Sequence, residues 1–213
     1  MPRASARPTL VLLVRHGQTP TTGTVLPGRA PGLSLSEAGR RQAEELAARL
    51  GRLPRLAAVY ASPLERARET AAPLARARGL AVRVEPGLTD CDAGAWTGVA
   101  LKALRTRPEW KTVQRHPSGF RFPRGESLVE MQARITGSVA ALVARHPGQA
   151  VVAVSHGDPI KAAVAHALGC HLDLFQRIAI SPASVSAIAY RAEGPVVLTV
   201  NSMDGDLAGL LNA

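Results

Sequence analysis

Short apolar runs recur along the chain and are typical of buried β-strands. They are rich in Val, Ala and Leu and are bounded by Gly, Pro or charged residues. The predicted strands cover residues 10–14, 57–61, 81–84, 150–154, 185–190 and 196–201. The last two runs are separated by Glu193-Gly194-Pro195, which predicts an antiparallel pair at one edge of a sheet.

Between most of these strands, apolar residues repeat with the period of an amphipathic helix. The predicted helices cover residues 36–50, 62–78, 128–142 and about 156–168. Two of them begin with a capping box, Ser62 with Glu65 and Ser127 with Glu130. Strands that alternate with helices pair in parallel through crossover connections. The expected fold class is therefore α/β, a three-layer α/β/α sandwich whose mostly parallel sheet has an antiparallel edge.

Three segments interrupt this alternation. Residues 17–35 are rich in Gly, Pro and Thr and predict a loop that is too long for a simple turn. Loops of this length inside a compact domain usually have a function. Residues 85–98 predict a second loop that contains Asp, Gly and Trp. We interpret residues 1–213 as a single domain with a small basic insertion or cap at about 99–126. Residues 1–8 are expected to be a disordered tip.

The chain is basic, since 26 Lys and Arg residues against 16 Asp and Glu residues give a formal net charge of +10. Such an excess occurs in proteins that bind nucleic acid, anionic membranes or small anions. Only 3% of the residues are aromatic, which disfavours stacking on nucleic-acid bases. The expected partner is therefore a small anionic substrate, with no nucleic acid and no membrane.

The N-terminal apolar run is too short for a signal sequence or a membrane span. Cys91 and Cys170 show neither the spacing of metal ligands nor a disulfide framework. These observations predict a cytoplasmic protein that uses no metal ion and no other cofactor.

Two of the predicted strands end in a His-Gly turn. The run at 10–14 is followed by Arg-His-Gly at 15–17, and the run at 150–154 by Ser-His-Gly at 155–157. Open α/β sheets bind their ligands at the carboxyl ends of the strands. Both imidazoles are therefore candidates for a site at one edge of the sheet.

These residue types suit phosphoryl transfer without a metal ion. A neutral histidine is a covalent nucleophile, arginine offers a planar fork to phosphate oxygens, and a carboxylic acid protonates the leaving oxygen. His16 and Arg15 supply the first two groups, and Arg66 lies in the first turn of a predicted helix. The loop at 85–98 supplies two candidate acids, Asp90 and Asp92.

Five motifs resemble those of the histidine phosphatase superfamily, also called the phosphoglycerate mutase-like family. They are Leu-Leu-Val-Arg-His-Gly-Gln-Thr at 12–19, Ala-Ser-Pro-Leu-Glu-Arg-Ala-Arg-Glu-Thr at 61–70, the loop at 88–98, Gly-Glu-Ser at 125–127 and Val-Ser-His-Gly at 154–157. One motif would be weak support, but five in the same order are specific. The resemblance implies the phosphoglycerate mutase-like fold.

The resemblance also implies residue roles. His16 would be the nucleophile that becomes a phosphohistidine. Asp90 would be the proton donor, at the position before Gly94 where the family usually has a glutamate, and Asp92 and Glu126 are the alternatives. Thr22 replaces an asparagine that many members carry. The residues that would bind the phosphoryl group and the substrate are Arg15, Arg66, His156, Gly157, Gln18, Thr22 and Arg29, with His156 also counted as catalytic.

The expected function is a metal-independent phosphatase, a phosphoric monoester hydrolase of the histidine acid type. It would hydrolyse a small phosphomonoester through a phosphohistidine. A phosphoglycerate mutase or phosphomutase that uses the same intermediate is the alternative. Against it, the segment at 99–125 is short and lacks an adjacent arginine pair for a second anionic group.

A third interpretation is a non-catalytic protein that binds a phosphorylated ligand, although the chain keeps the complete set of candidate residues. The substrate stays open among sugar phosphates, phosphoglycerates, nucleotides and α-ribazole phosphate. A homodimer formed through a sheet edge also stays open.

Overall fold

The computed structural model describes residues 7–205, 207 and 209, so most of the tip expected at 1–8 lies outside the described residues. The strands are β1 (Thr9–Arg15), β2 (Val25–Leu26), β3 (Leu56–Ala61), β4 (Val82–Val84), β5 (Val99–Ala100), β6 (Ala150–Ser155), β7 (Val185–Arg191) and β8 (Gly194–Ser202). The helices are α1 (Glu37–Leu50), α2 (Glu65–Ala77), α3 (Leu101–Leu104), α4 (Pro108–Arg115), α5 (Leu128–Arg145) and α6 (Gly157–Ala167). In the described ranges, no helix combines the length and the apolar character that a membrane crossing requires.

The main sheet of the described residues has the strand order β4-β3-β6-β1-β7-β8. Strands β4, β3, β6 and β1 are parallel, whereas β7 is antiparallel to β1 and β8 is antiparallel to β7. The predicted sheet, mostly parallel with an antiparallel edge, is therefore confirmed. The pairing of β1 with β6 places Arg15 level with Ser155. Because the two strands end level, His16 and His156 leave the sheet side by side.

Helices cover both faces of this sheet. Leu10, Leu12 and Val14 of β1 belong to a core shared with α1 and α2. Val11 and Leu13 point the other way, into a core shared with α5 and α6. Burying one such side chain contributes about 1.5–3 kcal/mol. The three-layer α/β/α sandwich is confirmed, and burial on both faces holds the carboxyl end of β1 in place.

Two of the predicted helix starts are confirmed. The Ser36 hydroxyl accepts the Gly39 N–H at 3.1 Å and caps α1. At the start of α5, Ser127 Oγ accepts the Glu130 N–H at 3.1 Å, and the Glu130 carboxylate accepts the Ser127 N–H at 2.8 Å. The box predicted from the spacing therefore forms with both of its hydrogen bonds.

The capping box predicted at Ser62 is wrong. Helix α2 begins only at Glu65, and Leu64 is its N-cap residue, without a side-chain hydrogen bond. The Ser62 N–H donates to the Val154 carbonyl at 2.9 Å and so extends the pairing of β3 with β6. Since Ser62 continues the sheet edge, its hydroxyl reaches only the N–H of the N-cap residue Leu64, at 3.3 Å, and not the first turn of α2.

The loop predicted at 17–35 contains a short strand. Strand β2 pairs with β5 in a small two-stranded sheet, which ties this loop to the basic segment. Within that segment, the rings of Trp110, Phe120 and Phe122 lie 6.4, 5.4 and 5.5 Å from the ring of Trp96. This aromatic cluster anchors residues 99–126 beside the carboxyl edge of the main sheet.

The turn after β1 packs backbone against backbone on the first turn of α1. A Cβ atom at Gly17 would lie 2.7 Å from the Gly39 carbonyl oxygen, and one at Gly39 would collide with the Gln18 backbone. The Gln18 carbonyl also accepts the Ser36 N–H at 2.9 Å. Glycine at both positions therefore allows α1 to hold the turn that carries His16.

We expect Gly39→Ala to lower the free energy of unfolding by about 1–3 kcal/mol, because the added methyl group overpacks this backbone contact. Gly137→Ala is the matched control, since Gly137 lies in α5 with open space around its Cβ position. There alanine should stabilise the helix by up to about 1 kcal/mol. Urea denaturation at constant m-value measures both changes. Unchanged stability of the Gly39→Ala protein would contradict the contact described above.

Candidate active site

His16 directly follows β1 and is buried. Its Nδ1 lies 2.7 Å from the Gly17 carbonyl oxygen. Because a carbonyl oxygen only accepts, Nδ1 carries the ring hydrogen and Nε2 keeps its lone pair. Burial lowers the pKa of His16 well below its ordinary value, and His156 and Arg66 act in the same direction. The result is a neutral imidazole whose Nε2 keeps its lone pair, the form in which a histidine can act as a nucleophile.

The ring of His156 lies beside that of His16, with 5.1 Å between the ring centroids. Its Nε2 is 2.8 Å from Ser62 Oγ, which accepts the Leu64 N–H at 3.3 Å. The Ser62 hydroxyl hydrogen is therefore free to be donated to His156 Nε2. Burial is the largest cause that lowers the pKa of His156 well below its ordinary value. A neutral His156 then carries its hydrogen on Nδ1, which lies 3.6 Å from Asp90 Oδ2.

Two guanidinium groups reach the same place. Arg66 is fully buried, and its Nη2 donates to the Gly28 carbonyl at 2.8 Å and to Asp90 Oδ2 at 3.1 Å. Arg15 Nη1 donates to a main-chain carbonyl at 2.6 Å. Burial lowers the pKa of Arg15, while the charge of Asp158 opposes this shift. Arginine remains charged in such surroundings, so both residues present positive charge to the site.

Four buried nitrogens in this cluster have no hydrogen-bond partner among the described residues: Arg15 Nε, Arg66 Nε, Arg66 Nη1 and His156 Nδ1. Leaving one such donor unpaired costs about 1–3 kcal/mol. Gly157 leaves room beside them, since a Cβ there would lie 3.6 Å from Arg15 Nε. It also begins α6, whose first N–H groups favour an anion. The set of donors matches the oxygens of a phosphoryl group.

Asp90 is the carboxylate that the structure brings to this cluster. Its Oδ1 accepts the Cys91 N–H at 2.9 Å, which orients the side chain, and its Oδ2 faces Arg66 and His156. It lines the same cavity as His16. Of the three candidate acids, Asp90 is therefore the one whose side chain lies against both Arg66 and His156.

The two alternative acids are engaged elsewhere. Asp92 Oδ1 accepts the Gly94 N–H at 3.0 Å and supports the turn of the loop. Burial raises the pKa of Glu126, but hydrogen bonds from Arg134 and from the Asp92 N–H outweigh it, so that the pKa lies below its ordinary value. Glu126 Oε1 accepts these two bonds at 2.7 and 2.9 Å. Among the described residues, Glu126 thus contacts the loop backbone and its arginines rather than either histidine.

The remaining predicted residues separate into two groups. Gly157 and Thr22 line the cavity, and Thr22 Oγ1 accepts the Thr19 N–H at 2.8 Å. Gln18 and Arg29 are not among the residues that line it. The Gln18 backbone fixes the turn after β1, and Arg29 Nε donates to the Asp90 carbonyl at 2.9 Å.

Sequence analysis missed two residues of the site. Ser62 carried a signal, but the spacing to Glu65 favoured a helix cap. Arg134 of α5 carried none, because it is one of many arginines on a basic chain. Its Nη1 donates to two carbonyls of the loop at 85–98, both at 2.9 Å, and its Nη2 donates to the Asp90 carbonyl at 3.2 Å. Together with Arg29, it holds the loop that presents Asp90.

Ser62 keeps the hydrogen of His156 on Nδ1, where it can be donated to a bound anion. We therefore expect Ser62→Ala to weaken the inhibition of enzyme activity by inorganic phosphate about tenfold, which corresponds to the loss of one hydrogen bond. Ser186→Ala is the control, since Ser186 is also buried and its hydroxyl accepts the Asn201 N–H at 3.1 Å on the other side of β1. Thermal denaturation would show a similar loss of stability in both variants. Equal phosphate inhibition in both would contradict the role given to Ser62.

The sequence profile of the histidine phosphatase superfamily (branch 1) matches residues 11–203. Phosphoserine phosphatase 1 of Hydrogenobacter thermophilus is 34% identical over 196 residues, which cover 90% of this chain and 91% of that protein. A probable phosphoglycerate mutase of Cronobacter sakazakii is 32% identical over 204 residues, covering 91% and 93%. The chain spans about half the length of the first curated relatives it matches.

Among solved structures, mycobacterial glucosyl-3-phosphoglycerate phosphatase superposes with a TM-score of 0.82 at 29% identity. The match covers 92% of this chain and 100% of that one. The profile match contains the residues of both His-Gly turns, of α2 and of the Asp90 loop. The chain therefore belongs to the histidine phosphatase superfamily, branch 1.

Proposed function

We propose that this protein is a phosphatase that hydrolyses a small phosphomonoester through a phosphohistidine on His16. The observation that carries the proposal is the set of four unpaired buried donors on Arg15, Arg66 and His156, the residues that lie around the buried imidazole of His16. Phosphoryl transfer requires charge stabilisation on three equatorial oxygens and an in-line nucleophile. These side chains supply both without a metal ion.

In the first step, His16 Nε2 attacks phosphorus and the bond from phosphorus to the ester oxygen breaks. Asp90, in its protonated form, transfers its proton to that oxygen, and a neutral alcohol leaves. The phosphoryl group is then bonded to Nε2, while Nδ1 keeps its hydrogen bond to the Gly17 carbonyl. The positive charge that His16 gains is balanced by the charge of the bound phosphoryl group.

In the second step, a water molecule attacks the same phosphorus from the side that the alcohol has left. The Asp90 carboxylate accepts a proton from this water, and the bond from phosphorus to Nε2 breaks. Inorganic phosphate, neutral His16 and protonated Asp90 result, so the enzyme returns to its starting state. Asp90 thus acts first as an acid and then as a base.

Aspartate is one methylene shorter than the glutamate usual in the family, so its reach depends on where the loop holds its backbone. Arg29 and Arg134 both donate to the Asp90 carbonyl and so hold the backbone of this residue in place. The carboxylate consequently lies 3.1 Å from Arg66 and 3.6 Å from His156. We include Asp90 as the proton donor on the strength of this placement.

The same geometry disfavours the two alternatives. A mutase must hold a second anionic group while the phosphoryl group moves, yet the cavity offers Lys161 as its only lining cation besides Arg15 among the described residues. A non-catalytic binding protein would not require a neutral His16 whose ring orientation leaves Nε2 free of a hydrogen.

We also propose that the protein lies in a reducing compartment, the cytoplasm, where Cys91 and Cys170 stay free thiols.

We expect His16→Ala to abolish phosphate release from a panel of phosphomonoesters assayed in EDTA, because no other group would form the intermediate. His166→Ala is the matched control, since His166 is exposed at the end of α6. Circular dichroism and thermal denaturation would establish that both variants fold. Turnover by pure His16→Ala protein would overturn the proposal, as would transfer of the phosphoryl group between positions of 3-phosphoglycerate without net release.

We expect Asp90→Asn to slow hydrolysis of an alkyl phosphate by about 10²–10⁴-fold and that of p-nitrophenyl phosphate much less. The alkoxide needs a proton to leave, whereas p-nitrophenolate does not. Asp92→Asn provides the comparison on the same loop and should affect both substrates equally. If Asp90→Asn slowed the two substrates by the same factor, Asp90 would not be the proton donor.

A further inference from the structure

The cavity that contains His16 extends past the phosphoryl end and has a volume of about 290 Å³. Its outer wall is built from the two segments joined by the β2–β5 pair. Apolar side chains from these segments face the cavity: Leu26, Leu101, Trp110, Val113 and Phe122. The alcohol part of a bound phosphomonoester would lie against this wall, because the phosphoryl group is held at the inner end.

This wall is supported from behind. The Trp110 ring lies 6.4 Å from the Trp96 ring at an angle of 28°, and Trp96 is itself buried. Val113 and Phe122 are each only 4% exposed. The apolar surface is therefore present before a substrate arrives, as is usual for small-molecule sites.

The charged groups of the outer cavity already neutralise one another. Lys161 Nζ donates to Asp158 Oδ1 at 3.1 Å and to Gln176 Oε1 at 3.0 Å. Lys161 and Asp158 both line the cavity, and the other charged lining residues, Arg15 and Asp90, belong to the phosphoryl end. With Arg15 engaged by the phosphoryl group, Lys161 is the one lining cation of the described residues left for a carboxylate on the alcohol, and it is already paired with Asp158.

We propose that the substrate is a phosphomonoester whose alcohol part is uncharged and has an apolar or aromatic body. This inference rests on the proposed phosphatase function and specifies the substrate class of the same site. It also assigns residues 99–126 a role as the specificity-determining cap. A carboxylate in the alcohol part would lose its hydration and compete with Asp158 for Lys161, whereas an aromatic ring would gain contact with Trp110.

The test compares phenyl phosphate with 3-carboxyphenyl phosphate, whose phenols leave with similar ease. We expect kcat/KM to be at least about tenfold higher for phenyl phosphate, since only the carboxylated substrate must bury an unpaired charge. 3-Phosphoglycerate and phosphoserine should be poor substrates for the same reason. Equal or higher kcat/KM for the carboxylated members would overturn the inference.

Variants of the wall test the same assignment. We expect Trp110→Ala to raise KM for phenyl phosphate about tenfold with little change in kcat, and to leave inhibition by inorganic phosphate unchanged. Glu109→Ala is the control, because Glu109 is exposed on the same helix and does not line the cavity. Leu101→Asn replaces Trp110→Ala if the latter fails to fold, with the same expectation. An unchanged KM in the folded wall variant would contradict the assignment.

Asp158→Asn tests the charge argument independently. Removing this carboxylate frees Lys161, so the ratio of kcat/KM for 3-carboxyphenyl phosphate to that for phenyl phosphate should rise about tenfold. If this ratio of kcat/KM values did not change, the Lys161–Asp158 ion pair would not be the cause of the preference for uncharged substrates, and the charge argument would fail. If no substrate in the panel is hydrolysed in a His16-dependent manner, the proposed function itself fails; a His16-dependent preference for carboxylated substrates refutes only the inference about substrate class.

Discussion

The in-register parallel pairing of β1 with β6 is the constraint on which the site depends. It ends both strands at the same level, so that the residues after Arg15 and Ser155 lie next to each other. The pairing of β3 with β6 brings Ser62 to the same edge. A shift of one residue in either pairing would turn these side chains to the opposite face of the sheet. The hydrophobic cores on both faces of β1 make such a shift unfavourable.

Stability and function oppose one another at this edge. Arg66 is fully buried and leaves two of its nitrogens unpaired, and burial holds both histidines neutral by lowering their pKa values. Such groups destabilise the folded protein until an anion pairs with them. The surrounding structure offsets this with the two cores and with backbone contacts such as that between Gly17 and Gly39. The site is therefore organised in advance for a charged group that arrives from solvent.

The alternating strands and helices were predicted well from the sequence, because the spacing of apolar residues and the capping motifs are local signals. The sequence placed the capping box of Ser127 correctly and that of Ser62 incorrectly, although the two have the same spacing. The difference is tertiary: the Ser62 N–H pairs with β6, which keeps the residue in the sheet. Similarly, nothing local distinguishes Arg134, which holds the Asp90 loop, from the arginines that remain on the surface.

By itself, the sequence determined the fold class, the two His-Gly turns and the motifs that identify the superfamily, because each depends on residues close together in the chain. Tertiary structure decided which of the three candidate carboxylates, Asp90, Asp92 and Glu126, faces His156, because the sequence does not show which partners each one meets. Tertiary structure also decided which apolar and charged side chains line the outer part of the cavity. Trp110 and Lys161 are 51 residues apart in the numbering of the chain. Only folding places them around one cavity, where packing and charge pairing select what can bind.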